Sequence, residues 1–216
     1  FMGDGMMAIF GAPLDLDDHP SRACAAALSM AEGLDALNRE ENLEAEGPAS
    51  LDVPISVGVG INTGEMVAGN IGSSQRFEYT VVGDAVNLAA RIEPLNRILG
   101  TRILVSEMTY EDVAPSPWTF RKLGAVRVKG REDPVSLYEL LDPNTYPEPD
   151  ALSAQFEDGL SLYHQRQFAA ARTTFEECRA LHPEDGPASY YVNRCVACEK
   201  DPSRYEPVLD LRSPNE

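Results

Sequence analysis

The sequence predicts an α+β domain, its mainly antiparallel sheet flanked by helices, followed by a small all-α tail. Three features of the chain point there. Short apolar, β-branched stretches mix with segments of helical period but do not alternate with them regularly, which argues against a parallel doubly wound sheet. A proline-rich, charged run begins at Asp142-Pro143 and closes at Pro149-Asp150, the composition of a domain boundary. Beyond it, apolar residues keep helical spacing through residue 198.

Taken in order, residues 1–10 read as a hairpin, because Gly3-Asp4-Gly5 is a turn signal between apolar runs. Asp4 is thereby held at the tip. Pro20 opens a helix whose apolar positions Ala23, Ala27, Met30, Ala31, Leu34 and Leu37 recur on one face. Residues 44–52 read as a loop. Residues 53–61 and 66–71 are expected to form strands of a second hairpin around Thr63-Gly64, with residues 77–82 as a further strand. Asp84 stands where a helix N-cap belongs. Val86, Leu88, Ala89, Ile92 and Leu95 give that helix its apolar face to near Gly100. A strand at 102–105, a short helix at 107–113 and strands at 118–123, 125–128 and 135–141 complete the sheet.

In the tail, Phe156, Gly159, Leu162, Phe168, Ala171, Phe175 and Pro183 follow the spacing of a tetratricopeptide-type helix pair, and residues 188–198 read as one further helix. One such unit cannot bury its apolar face alone, so the tail is expected to pack on its own domain or on other sequence. The expected organisation is an α+β domain over 1–142, a linker over 143–150, the helical tail over 151–200 and an extended C-terminus over 201–216.

The chain has 216 residues and a formal charge of -17, from 35 acidic and 18 basic side chains. That balance argues against nucleic acid or an anionic membrane as partner. An anionic small substrate needs metal ions and local cations to neutralise it. No apolar run approaches the roughly 20 residues of a membrane span. The opening on Phe1, without a signal-like start, reads as a piece of something longer. The four cysteines are irregularly placed, which fits a reducing cytoplasm, with membrane tethering through preceding sequence left open. Cys178, His182, Cys195 and Cys198 have zinc-like spacing, but a buried, structural role for the cysteines is the better reading.

Chemistry concentrates in the run from Phe77 to Arg91, where Asn87 and Arg91 lie four apart and share a helix face near its start. An amide and a guanidinium there suit phosphate chemistry. This run, Phe77-Glu78-Tyr79-Thr80-Val81-Val82-Gly83-Asp84-Ala85-Val86-Asn87-Leu88-Ala89-Ala90-Arg91, resembles the signature of the class III adenylate and guanylate cyclases. Three other segments resemble the same family in the same order. They are Phe1-Met2-Gly3-Asp4-Gly5 with Met7-Ala8, the stretch Gly58-Val59-Gly60-Ile61-Asn62-Thr63-Gly64-Glu65 with Gly69-Asn70-Ile71-Gly72, and Val128-Lys129-Gly130.

The resemblance implies a ferredoxin-like cyclase fold and attack of the ribose 3′-hydroxyl of ATP on the α-phosphate, giving cyclic AMP and pyrophosphate. It implies two divalent cations per site, magnesium or manganese, with Asp4 one of two carboxylates bridging them. Asn87 would orient the ribose, Arg91 would meet the α-phosphate, and Lys129 would face the terminal phosphates. Thr80 matches the adenine-reading position in the ATP-using bacterial type. The site would form between two subunits of a homodimer, Asp4 coming from one and the other four residues from its mate. Glu65 stands where some relatives carry an arginine. The family's preceding strand and two helices, with the second carboxylate and a base-reading lysine, are not in the chain, so it is expected to be inactive alone. Two alternatives stay open: a guanylate cyclase, and a non-catalytic cyclase-like module for dimerisation or nucleotide sensing.

Overall fold

A computed structural model describes residues 5–43, 54–73 and 76–212. Helix α1 (His19–Leu43) is followed by β1 (Val59–Ile61), β2 (Val67–Ser73), β3 (Arg76–Val82), α2 (Asp84–Ile92), α3 (Leu95–Leu99), β4 (Ile103–Ser106) and α4 (Glu107–Val113). Strands β5 (Phe120–Arg127) and β6 (Val135–Leu140) lead into the tail helices α5 (Pro149–His164), α6 (Phe168–Leu181) and α7 (Gly186–Lys200). A 3-10 turn (Pro202–Arg204) then precedes the short strand β7 (Leu209–Asp210).

The main sheet has the order β1-β4-β6-β5-β7. It is mixed: β4-β6 and β6-β5 are antiparallel, while the edge pairs β1-β4 and β5-β7 are parallel. Period-two alternation divides its side chains between two layers. Ile103, Val105, Tyr138 and Leu140 face α1, packing with Cys24, Ala27 and Ala31. Leu104, Leu123, Val126 and Leu137 face the other way, towards Leu88 and Ile92 of α2 and the tail. The same alternation turns Glu139 towards the tail, between the α1-facing Tyr138 and Leu140.

Four local expectations are corrected. The second hairpin is not formed by β1 and β2; β1 pairs with β4, and β2 instead pairs antiparallel with β3, from Val67 opposite Val82 to Ser73 opposite Arg76. The intervening segment is tied elsewhere, with Asn62 Nδ2 donating to Ala85 O at 2.9 Å and the Thr63 and Thr109 hydroxyls 3.1 Å apart. The helix expected to run to Gly100 divides at Pro94, which precedes α3, and Gly100 closes α3 in the left-handed region at φ 69°. The two strands expected at 118–128 are one strand with a bulge between Lys122 and Gly124, where φ is +105°. Residues 6–10 carry no strand, and Gly5 holds a single bridge; residues 1–4 lie outside the described residues. The helix expected at 107–113 forms, with the Ser106 hydroxyl accepting from the Thr109 N–H.

The tail shares one apolar core with the sheet, in which Phe156, Tyr163, Phe175 and Tyr191 join Leu123, Val126 and Leu137. Gly159 allows α5 and α6 to close together, because a Cβ there would lie 2.7 Å from the Phe175 ring. Each fully buried Phe contributes roughly 1.5–3 kcal/mol. Charge is buried at the same junction. Arg121 of β5 is fully enclosed, its Nε 3.0 Å from Glu139 Oε2, its two terminal nitrogens donating to Glu139 and to Asp185. Asp185 also caps α7, accepting from Ala188 N–H at 2.8 Å, and Tyr146 donates to Glu139 at 3.2 Å. The Arg121 guanidinium lies over the Phe156 ring at 4.8 Å.

Candidate active site

Strand β3 runs through Gly83 directly into α2. The N-cap is Gly83, with no side-chain cap, and Asp84 is the first helical residue. Asp84 is therefore not the cap that its type and place predict. Its carboxylate instead faces Arg131, 3.3 Å away, and favours the helix start as an anion in the first turn. A side chain at position 83 would crowd Glu65 O at 3.1 Å and Met66, so the strand and the preceding turn meet closely there.

Helix α2 lies across β1 because β1 is glycine-spaced. A Cβ on Gly60 would sit 2.5–2.9 Å from the backbone of Ala89 and Glu93, a distance real side chains do not tolerate. Asn96 Nδ2 further ties α3 to β1 through Val59 O at 3.0 Å. With Leu88 and Ile92 buried on this side, the helical period turns Asn87 and Arg91 outwards; Asn87 is exposed and Arg91 half-buried.

After β5, Val128 is buried, and the chain turns at Lys129 and Gly130, where φ is +73° and Arg131 N–H donates to Val128 O at 3.2 Å. The Arg91 guanidinium rests on this turn, its Nη1 3.5 Å from Gly130 O. A Cβ at position 130 would approach Arg91 Nη2 to 3.0 Å. Glycine is needed twice over, for the positive φ and for the guanidinium. Arg91, the exposed Lys129 and Arg131 thus gather at one surface of a chain whose formal charge is -17. Local cations gathered at a turn can take a polyanionic ligand where the protein as a whole repels one.

The structure thereby brings Arg91 to the Lys129 turn and sets Asn87 one helical turn before Arg91 on the same face. Thr80 is half-buried on β3, opposite Gly69 and four residues ahead of α2. Asp4 lies outside the described residues. Glu65 is exposed. Arg131 is an addition that the Val128-Lys129-Gly130 run did not single out; its adjacency to Lys129 was the available signal. Among the described residues no group of three or more His, Cys, Asp or Glu side chains is placed to hold a metal ion. An apolar cleft of about 240 Å³ at the β1 edge, lined by Met30, Leu34, Leu37, Val57 and Val59, contains none of the predicted site residues.

The cysteines are free and buried. Burial pushes the thiols of Cys24, Cys178 and Cys195 up to about 12, so they are thiols rather than thiolates at neutral pH. The expected result with iodoacetamide near neutral pH is negligible labelling of these three in the folded protein and full labelling in denaturant, read by mass spectrometry. A metal-bound thiolate set would instead release stoichiometric zinc on denaturation.

Among the described residues no helix is long and apolar enough to cross a membrane. The family model "Adenylate and Guanylate cyclase catalytic domain" matches residues 1–142. The chain is similar to "Adenylate cyclase, terminal-differentiation specific" of Dictyostelium discoideum, 32% identical over 205 residues, covering 91% of this chain and 9% of that protein. A match of that extent reaches into the helical tail. It is also similar to "Adenylate cyclase" of Anabaena cylindrica, 37% identical over 142 residues, covering 65% of this chain and 27% of that protein. The chain therefore spans only a small part of these relatives. Among solved structures it resembles the guanylyl cyclase Cya2, at 38% identity and TM-score 0.53, covering 65% of this chain and 66% of that one. It also resembles the adenylyl cyclase CyaB from P. aeruginosa, at 28% identity and TM-score 0.51, covering 62% and 65% respectively. With its motifs in order, its mixed sheet and its cationic turn against α2, the chain belongs to the adenylate and guanylate cyclase catalytic-domain family.

Proposed function

We propose that this chain is the substrate-binding part of an adenylate cyclase that converts ATP to 3′,5′-cyclic AMP and pyrophosphate at a homodimer interface. The observation that carries the reading is Arg91 seated on the Lys129-Gly130 turn of an otherwise acidic molecule. In this reading Lys129 and the turn hold the terminal phosphates, with Arg131 beside them. Arg91 stabilises charge as it builds on the α-phosphate, Asn87 orients the ribose, and Thr80 contacts the adenine edge. Two divalent cations, magnesium or manganese, would supply Lewis-acid chemistry, and Asp4 is the carboxylate this chain would offer them.

The β2-β3 hairpin supports the dimer. Val67 and Val82 are paired at its base and are 70% and 57% exposed, and a two-stranded hairpin gains its stability by packing on something else. A second subunit would cover it and bring its own Asp4 to this subunit's turn. The α5-α6 pair is read as tetratricopeptide-like, and the buried free thiols suit a cytoplasmic location. The relatives named above include both adenylate and guanylyl cyclases. Base choice is therefore the sharpest test. The whole protein, assayed with manganese and either ATP or GTP, is expected to form cyclic AMP at least roughly tenfold faster than cyclic GMP, a discrimination that polar base-edge contacts supply. Its activity per molecule should fall on dilution. Cyclic GMP in excess would assign a guanylate cyclase, and no product from either nucleotide would leave a non-catalytic module.

A further inference from the structure

The tail touches the candidate site's scaffold at three separate points. Strand β7 adds to the sheet beside the last residues of β5, with Leu209 opposite Val126 and Asp210 opposite Arg127, and Leu211 N–H donates to Arg127 O at 3.1 Å. Arg127 is two residues from Lys129. Helix α7 reaches the β5 bulge, where the buried Tyr191 hydroxyl donates to Leu123 O at 2.7 Å and Gly124 has no Cβ to obstruct it. The start of α7 presses on the end of α3, since a Cβ on Gly186 would fall 2.5 Å from Gly100. One helix thus abuts both β5, the strand that leads to Lys129, and α3, which follows the helix carrying Asn87 and Arg91.

From this geometry we infer that the tail is a clamp that sets the Lys129-Gly130 turn against Arg91, with Tyr191 and the Leu211 amide as positioning groups. The turn is exposed at Lys129 and Gly130 and meets α2 through the approach of Arg91 to Gly130 O and the Arg131–Asp84 pair, so the register of those contacts depends on how firmly β5 is held. Without β7, β5 would be an edge strand paired with β6 alone and ending in an exposed turn, the kind of segment that frays first. Pairing with β7 and anchoring at the bulge remove that freedom on both sides of Val126. The inference rests on the proposed function for its catalytic consequence but not for its structural one.

The test uses the whole protein with Tyr191→Phe, which keeps the ring and removes one hydrogen bond, and Leu211→Pro, which removes the amide donor just after β7. Hydrogen exchange of residues 126–131 is expected to accelerate about threefold to tenfold in either variant, while residues 104–106 of β4 keep their protection. In the active enzyme KM for the nucleotide should rise by a similar factor with kcat changed less than about twofold. Either variant added to Lys129→Ala should cost little more, because both act through the same group. Unchanged exchange at 126–131, uniform loss of protection across all strands, or an unchanged KM in an active enzyme would each overturn the clamp. If the wild-type protein cyclises nothing, the functional reading fails while the exchange measurement still decides the clamp.

Discussion

Replacing Arg91 by alanine in the whole protein is expected to lower the cyclisation rate by about 10²–10³, the usual cost of one well-placed donor at developing transition-state charge. The side chain is half-buried on α2, beside the buried stripe of Leu88 and Ile92 and not within it, so its loss leaves no core cavity. Its protein contact is a 3.5 Å approach to Gly130 O, at the outer limit of a hydrogen bond. Stability should therefore move by no more than about 0.5 kcal/mol, and the melting temperature separates lost chemistry from lost folding. Arg91→Lys keeps the charge but loses the planar fork and should recover only part of the rate. A rate for Arg91→Ala within about threefold of wild type, at full folding, would remove Arg91 from the chemistry.

The largest expected loss of stability follows from Arg121→Met. Arg121 is fully buried between Glu139 and Asp185, which are 2% and 0% exposed. Removing the cation leaves two buried carboxylates facing one another, a defect that costs about 3–5 kcal/mol. Adding Glu139→Gln and Asp185→Asn removes the stranded charges, and asparagine can still cap α7, so most of the loss should return. Urea unfolding midpoints of the variants provide the measurement.

The pH dependence of Arg121→Met has a definite sign. Burial holds the Glu139 carboxyl above its ordinary range, against the opposing pull of Arg121. A carboxyl raised in the folded state favours folding below its unfolded value, and that contribution is lost as pH rises towards its folded value. Without Arg121 the folded value rises further. The deficit of the variant should thus be larger near about pH 8 than near about pH 5. A deficit independent of pH would mean that the carboxylates had found water or other cations.

The part of the site carried on α2 was legible because it is local. Four-residue spacing and the apolar run of Leu88 and Ile92 are enough to turn Asn87 and Arg91 outwards together. The Ser106-capped helix and the tail helices were legible for the same reason. The second hairpin misled because Thr63-Gly64 looks like a turn whatever its neighbours do. Which strand β1 joins depends on β4, more than forty residues away, as the Val59–Ile103 pairing shows. Asp84 misled likewise, since Asp favours both the N-cap and the first helical turn, and the partner Arg131 tips the choice.

Local patterning along this chain thus establishes its α+β class, its family motifs and the outward face of α2, because period and turn chemistry act within a few residues. Strand partners, the burial of Arg121 with Glu139 and Asp185, and the joining of β7 to β5 arise only when distant segments meet. Those contacts set residues far apart in sequence against one another, and a charge is tolerated in the core solely where its counter-charges arrive with it. The tail reads as a separate helical unit in the sequence and becomes part of the main sheet's own core in three dimensions.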